Sequence, residues 1–377
     1  MDSGFKAGIY RKQKQYQSFC PTLINYDYQW KDPLINSLLE EASMLLGNLN
    51  SYVSLVPNFD FFIHMHLVKE ATESNKIEGT KTTIDEAVRM QEDVNPERRD
   101  DWQEVQNYTQ ATEFAISQLN KLPLSTRLLK ETHRILLKGV RGKYKTPGEI
   151  RKTQNWIGGS NLSDAIFIPP HQDEVAKLLS DLEKYIHNDS LTTPHLIKVA
   201  ILHYQFETIH PFLDGNGRLG RLLIILYLVD KGLLKKPILY LSSFFEKHRS
   251  SYYDSLTLVR TMDNLDQWLK FFLNGIKSAA VESENTLKKI IALQAQCISK
   301  INSLKNKTKN KNITKLLELF FSHPIMSYDF AKEKLGLSHP TVNKLIGDLA
   351  SLGIIEETTG FKRNRNYKFS KYLDLFT

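Results

Sequence analysis

The chain has 377 residues, 41% hydrophobic and 24% charged, with a net charge of +8. That length allows two or three domains and a sizeable core, and no run approaches the roughly 18 apolar residues of a membrane span. Residues 300–377 hold 14 Lys/Arg against 7 Asp/Glu, so nearly all the excess charge sits in a basic tail on a near-neutral body, which suggests a second role there. Met1 to Tyr10 lack the apolar core of a secretory signal. Cys20 and Cys297 are too far apart in sequence to suggest a framework or a metal spacing, so free thiols in a reducing cytoplasm are expected.

Most of the chain reads as helix. Phe61, Met65, Val68 and Ala71 recur at helical spacing over residues 60–78, and Gly79 follows as a C-cap. Thr83-Ile-Asp-Glu86 is a capping box that opens the next helix. Helical patterns continue over 101–119 and 125–139. Between Lys143 and Pro170 the texture changes to Gly, Pro, Asn and short apolar runs, which predicts a small β-hairpin turning at Gly158 to Asp164. Helices resume at Gln172 to Asn188 and, with Thr193 as N-cap and Pro194 at the first helical position, at Pro194 to Ile209. Arg218 to Val229 is apolar almost all round and should be a buried central helix. Residues 299–312 are Lys/Asn-rich and read as a solvated linker or helix end. Beyond them come helices at Ile313–Phe321, Ser327–Leu335 and, after a turn at Gly336, Ser338–Leu349. Strand-like runs at Ile354–Thr358 and Asn366–Phe369 flank a basic loop, the pattern of a winged helix-turn-helix.

The most informative stretch is His210-Pro-Phe-Leu-Asp-Gly-Asn-Gly-Arg-Leu-Gly-Arg221, a polar loop between two apolar helices. Pro211 disfavours helix at His210, so the imidazole lies at the helix mouth. Gly215 and Gly217 permit a backbone that turns successive N–H groups inward as an anion nest, and the next helix points its positive end at the same spot. Arg218 and Arg221 share a helix face, and two guanidiniums beside a nest suit a polyphosphate. Asp214 is placed to hold a Mg2+ that bridges phosphate oxygens. His210, with an ordinary pKa of about 6.5, suits a general base. His203, seven residues earlier, reads as structural.

That string resembles the Fic signature, His-Pro-Phe-x-Asp-Gly-Asn-Gly-Arg-x-x-Arg, at every fixed position. Thr146-Pro-Gly-Glu-Ile-Arg151 and Ile166-Phe-Ile-Pro-Pro170 are similar to the family's Pro-Gly-x-x-Arg segment and flap. Phe244 to Leu256 is similar to its nucleoside-pocket helix. The resemblance implies a mainly α fold: a Fic-type helical core with a small β-hairpin flap, plus the C-terminal winged helix-turn-helix. It divides the chain into an N-terminal helical extension (1–100, with an inhibitory helix at 60–79), a catalytic core (101–298), the linker (299–312) and the C-terminal domain (313–377). It implies transfer of AMP from ATP to a Ser, Thr or Tyr hydroxyl of a target protein. His210 would take the proton and Asp214 would hold Mg2+. The segment Gly215, Asn216, Gly217, Leu219 and Gly220, including the Asn216 side chain, would cradle ATP, with Arg218 and Arg221 on the outer phosphates. Lys247, Tyr252 and Tyr253 would line the adenosine pocket. The flap would clamp the target by strand addition. Ser74-Asn-Lys-Ile-Glu78-Gly79 fits the family's inhibitory pattern, in which Glu78 would pair with Arg221 and obstruct the γ-phosphate. Removal of AMP by the same site is a further implication.

In the C-terminal domain, His339, Thr341, Asn343 and Lys344 would face solvent on the recognition helix. Lys362, Arg363 and Arg365 in the wing and Lys305, Lys307, Lys309 and Lys311 in the linker would add positive charge. DNA, a second copy of the chain in a homodimer and a target protein remain open as partners for this domain. A nucleotide-sensing DNA-binding regulator and a Fic transferase of another phosphate-containing group are the competing functions.

Overall fold

The computed structural model describes residues 5–55, 60–139, 142, 144–304, 307–360 and 365–377. A β-hairpin, β1 (Gly8–Lys12) and β2 (Gln17–Pro21), opens it, where the sequence reading expected only helix. Neither strand alternates cleanly, so nothing local announces it. What fixes the hairpin is tertiary: Phe19 N–H donates to Ile168 O at 2.9 Å and its ring packs on Phe167, which seats β2 on the flap.

Helices α1 (Leu34–Leu55), α2 (Asp60–Ile77) and the short α3 (Ile84–Ala87) follow, then α4 (Arg99–Leu119), α5 (Thr126–Leu136), α6 (Gln172–His187), α7 (His195–Ile209) and α8 (Asn216–Asp230). The Thr83–Glu86 capping box forms in both directions, and Gly79 ends α2 with φ +96°. The flap is slighter than expected: one bridge, Ile157 to Phe167, closes it. Its turn is held by the Asp164 carboxylate, which accepts from the Ser160 and Asn161 N–H groups. Helix α7 starts at His195 with Pro194 in the N-cap position. The Thr193 hydroxyl donates instead to Asp27.

Helix α8 is the centre of the molecule. Every residue from Asn216 to Leu228 except Gly217 is buried, as its all-round apolar sequence requires. Helices α2, α4, α5 and α7 pack around it, and α6 backs α7. Then come α9 (Leu241–Lys247), α10 (Arg249–Met262) and α11 (Leu265–Asn302), which α1 lines along its length. The segment read as a linker or helix end is largely helical: α11 runs through to Asn302, and α12 (Lys307–Ser322) starts five residues later.

The C-terminal unit joins α12 to β3 (Ile325–Ser327), α13 (Tyr328–Leu335), α14 (His339–Ser351), β4 (Glu356–Glu357), β5 (Asn366–Lys368) and α15 (Ser370–Leu373). Its antiparallel sheet has the order β3-β5-β4, and β3 had no counterpart in the sequence reading. Ser327 caps α13 through Phe330 N–H, and Gly336 turns the chain at φ +63°. Ser338 occupies the cap position of α14, but its hydroxyl bonds Thr341 Oγ1 at 2.8 Å. Cys20 and Cys297 are free and buried. Among the described residues no helix is long and apolar enough to cross a membrane.

Candidate active site

His210 ends α7 in the left-handed region, φ 48° and ψ 61°. A non-glycine residue there is costly and persists only where its surroundings hold it. The holders are visible. The His210 carbonyl accepts from Arg151 Nε at 2.9 Å and Asn155 Nδ2 at 3.1 Å. Arg151 N–H donates to Pro211 O at 2.9 Å, and its guanidinium reaches Pro170 O at the flap base. Arg151 therefore ties the loop to the flap.

The loop itself is stapled from within. Asn216 spends its side chain on Phe212, accepting from its N–H at 2.8 Å and donating to its carbonyl at 2.9 Å. Each atom of the buried amide thus makes one bond that holds the loop closed. Leu219 and Gly220 lie in the first turns of α8. The Leu219 N–H bonds Gly215 O inside the first helical turn, and its side chain is in the core. A sequence reading finds no signal for His133, yet it braces the loop from below. Its Nδ1 accepts from Gly148 N–H at 2.8 Å, which leaves Nε2 as the donor to Asp214 O at 2.9 Å. Burial pushes its pKa down to about 4, so the ring stays neutral, stacked on Phe212 at 3.8 Å.

Gly215 takes φ +74°, and the first turn of α8 opens just beyond it. Asp214 points outward with a side chain 40% exposed; its Oδ1 accepts from Gly215 N–H at 2.6 Å. Arg218 is buried between Glu104 at 3.1 Å, Asn75 Oδ1 at 3.4 Å and Asp214 at 3.5 Å. Arg221, 2% exposed, donates to Ser74 Oγ and Ser74 O, both at 2.9 Å, and to Glu78 Oε1 at 2.7 Å. The Glu78 carboxylate also lies directly over Gly217, where a Cβ would approach its Oε1 to 2.4 Å. Only glycine leaves room for an anion that close to the helix start. Burial pushes the Glu78 carboxyl up, but the charge and hydrogen bond of Arg221, with Arg218 and His210 behind it, outweigh this and hold it below the usual range.

His210 Nδ1 faces Glu207 O at 3.3 Å, so Nδ1 carries the proton and Nε2 presents the lone pair. Burial, aided by Arg260 and Arg151, lowers its pKa to about 4 and keeps the imidazole neutral.

The expected adenosine residues divide. Tyr252 is buried and its hydroxyl donates to His203 Nε2 at 2.8 Å, while His203 Nδ1 donates to Gly220 O at 2.9 Å. Tyr252 is thus packed in the core and linked through His203 to α8, and His203 is structural as expected. Tyr253 is 41% exposed, and its hydroxyl pKa is raised by burial and by the nearby Glu78 carboxylate. Lys247 is exposed at the end of α9. A cleft of about 600 Å³ between α5 and α6, lined by Thr126, Lys130, Glu183 and His187 among others, contains none of the motif residues. Among the described residues no three His, Cys, Asp or Glu side chains gather as a metal site.

Residues 36–117 match the Fic/DOC family N-terminal domain and residues 123–228 the Fic/DOC family domain. The chain belongs to the Fic family. Over 148 residues it is 31% identical to the protein adenylyltransferase Fic of Drosophila erecta and 32% identical to that of Drosophila melanogaster, matches covering 39% of this chain and 27% of each relative. The match thus spans about a quarter of those proteins. A crystal structure of a Fic family protein from Desulfovibrio desulfuricans superposes with a TM-score of 0.57 at 22% identity, covering 92% of this chain and 98% of that one. A Fic domain containing signaling protein from Bacteroides thetaiotaomicron gives 0.50 at 19% identity, covering 68% and 95%. These likenesses show that the helical Fic fold is shared.

Proposed function

We propose that this Fic protein transfers AMP from ATP to a protein hydroxyl and that Glu78 restrains it. The observation that carries the reading is the Glu78 carboxylate seated over Gly217 and bonded to Arg221 at 2.7 Å. A carboxylate there stands where a nucleotide phosphate would meet the same backbone and the same guanidinium.

His210 Nε2 accepts the proton of the target hydroxyl. The hydroxyl oxygen forms a bond to the α-phosphorus as the bond to the departing pyrophosphate breaks. Arg221 and Arg218 stabilise the charge on the outer phosphates once Glu78 has swung away. Asp214 offers an outward-facing carboxylate at the loop, and Mg2+ is commonly held by one or two carboxylates with phosphate oxygens and water. Asp214 would hold the ion, whose chemistry is to neutralise phosphate charge. His133 and Arg151 keep the loop in the required shape. Phe19 bonds one edge of the flap through Ile168 O, so strand addition by a target would use the Ile157 side.

The test compares wild type, Glu78→Gly and Glu78→Gly/His210→Ala with ATP labelled at the α-phosphate and Mg2+. Label on protein only with Glu78→Gly supports transfer, restraint and base together. No label in any of the three overturns the reading and turns attention to other transferred groups.

The C-terminal unit supports a second reading, contact with duplex DNA. His339, Asn343 and Lys344 are exposed on α14, Thr341 is half-buried and Lys311 is exposed on α12; these are side-chain types that reach base edges and phosphates. The side chains of Lys305, Lys307, Lys309, Lys362 and Arg363 lie outside the described residues. Salt-sensitive binding of duplex DNA that is lost in Asn343→Ala/Lys344→Ala would establish it; no binding at low salt would end it.

A further inference from the structure

Glu207 sits one turn before His210 on α7, and the motif reading gives it no part. Its side chain is buried. Its Oε2 lies 4.0 Å from His210 Nδ1. Its Oε1 finds no hydrogen-bond partner among the described residues. The same oxygen lies where a Cβ on Gly220 would come within 2.1 Å, so the glycine in the last turn of the motif makes space for this carboxyl. A buried carboxyl with an unmatched oxygen is expensive, and such cost concentrates where a site uses it.

We propose that Glu207 is a positioning residue for His210: its carboxylate stands behind Nδ1 and steadies the imidazolium that forms when Nε2 takes the target hydroxyl's proton. The inference rests on the transfer reading above. The proton stays on the imidazole through the step. Nδ1 keeps its own hydrogen, directed at the Glu207 carbonyl, and no proton passes to the carboxylate. Its role is electrostatic, and low surrounding polarity makes a charge at 4.0 Å effective.

The groups around it set the pH behaviour. Arg221 from α8 and Arg260 from α10 favour the ionised carboxyl, and Glu78 from α2 opposes it. Tyr252 from α10 also faces it, and Arg151, Arg260 and Glu78 act on His210. Burial, the largest influence, pushes the Glu207 carboxyl up to about 7. It therefore gains its charge across neutrality. As it does so it favours the imidazolium, so the ionised form raises the His210 pKa and the neutral form lowers it.

The experiment uses the full chain with Glu207→Gln, which keeps the shape and removes the charge. In the Glu78→Gly background, transfer of labelled AMP should fall by about tenfold at pH 8, a fraction of the 10²–10⁴ that general-base catalysis contributes. The rise in rate between about pH 6 and 8 that accompanies ionisation of Glu207 should flatten. Separately, the His210 ring is titrated by carbon-13 NMR in protein labelled at histidine, its signal assigned by comparison with His210→Ala. Because Glu207 is already neutral where His210 itself titrates, near pH 4, the parent ring signal should show a second inflection near pH 7 as Glu207 ionises, and Glu207→Gln should lose it. An unchanged titration overturns the proposal, as does slower transfer with an unchanged pH profile, because either reduces Glu207 to packing. If Glu78→Gly itself transfers nothing, the transfer reading fails, and the titration still decides whether Glu207 acts on His210.

Discussion

The two ends of α2 meet the rest of the molecule through different physics. At the C-terminal end, Ser74, Asn75 and Glu78 engage Arg221 and Arg218 through charge-assisted hydrogen bonds of 2.7–3.4 Å. At the N-terminal end, Phe62 packs against Phe321 and Tyr372 of the C-terminal unit, with ring centroids at 5.1 and 6.5 Å. His64 lies against His323 and His66 against Phe376. Just beyond α2, Lys368 of β5 bonds Asp85 at 2.6 Å. An anionic ligand can replace a carboxylate on an arginine with little net loss, whereas no nucleotide can replace an aromatic cluster. The helix is thus fixed at one end and exchangeable at the other. Between them, Glu70 accepts from Ser242 and Lys69 pairs with Glu282 at 2.6 Å, which seats the middle of the helix on α9 and α11.

Several measurements would break or sharpen that contrast. The largest effect belongs to Arg221→Lys in the Glu78→Gly background. A lysine cannot reproduce the planar fork that spans Ser74 and the outer phosphates, so transfer should fall by about 10²-fold. Retained transfer would mean that the exchangeable end does not act through this guanidinium.

Next is Phe321→Ala, which removes a buried ring shared with Phe62, Phe369 and Tyr372. It should cost about 3–5 kcal/mol of stability, read by denaturant unfolding, while wild-type Glu78 keeps AMP transfer low. Strong transfer from Phe321→Ala alone would show that the two ends are coupled. Gly220→Ala forces a methyl against Glu207 and should destabilise by about 1–3 kcal/mol while slowing transfer.

The pH response separates the two ends further. Glu78 has its folded pKa held below 4.5. A depressed carboxyl contributes its contact above the unfolded value and loses it as pH falls through the folded one. The restraint should therefore persist unchanged from pH 5 to 8 and weaken only in acid below about pH 4.5, read as the ratio of Glu78→Gly to wild-type transfer at each pH, which cancels the pH dependence that Glu207 and His210 impose on both. The smallest effect is Lys368→Ala: the pair with Asp85 is partly exposed and should be worth under about 1 kcal/mol in a melting curve.

Where a signal was local, it could be read from the chain alone. The His210 loop, the capping box at Thr83, the buried run of α8 and the turn at Gly336 each depend on neighbours within a few residues, so residue type and spacing carried them. The pairing of Glu78 with Arg221 was legible only through a family pattern, because 143 residues separate the partners. Three matters were decided by tertiary structure. Asn216 turned inward to Phe212 because the loop's own polar groups needed a partner once buried. Tyr252 went into the core because His203 offered its hydroxyl an acceptor. The N-terminal hairpin formed because β2 found an edge at Ile168. Sequence order specifies which groups an element presents and where it stops. Which of them meet, and which lose water in doing so, depends on how the helices pack around α8, and that is settled only when contacts far apart in the chain close together.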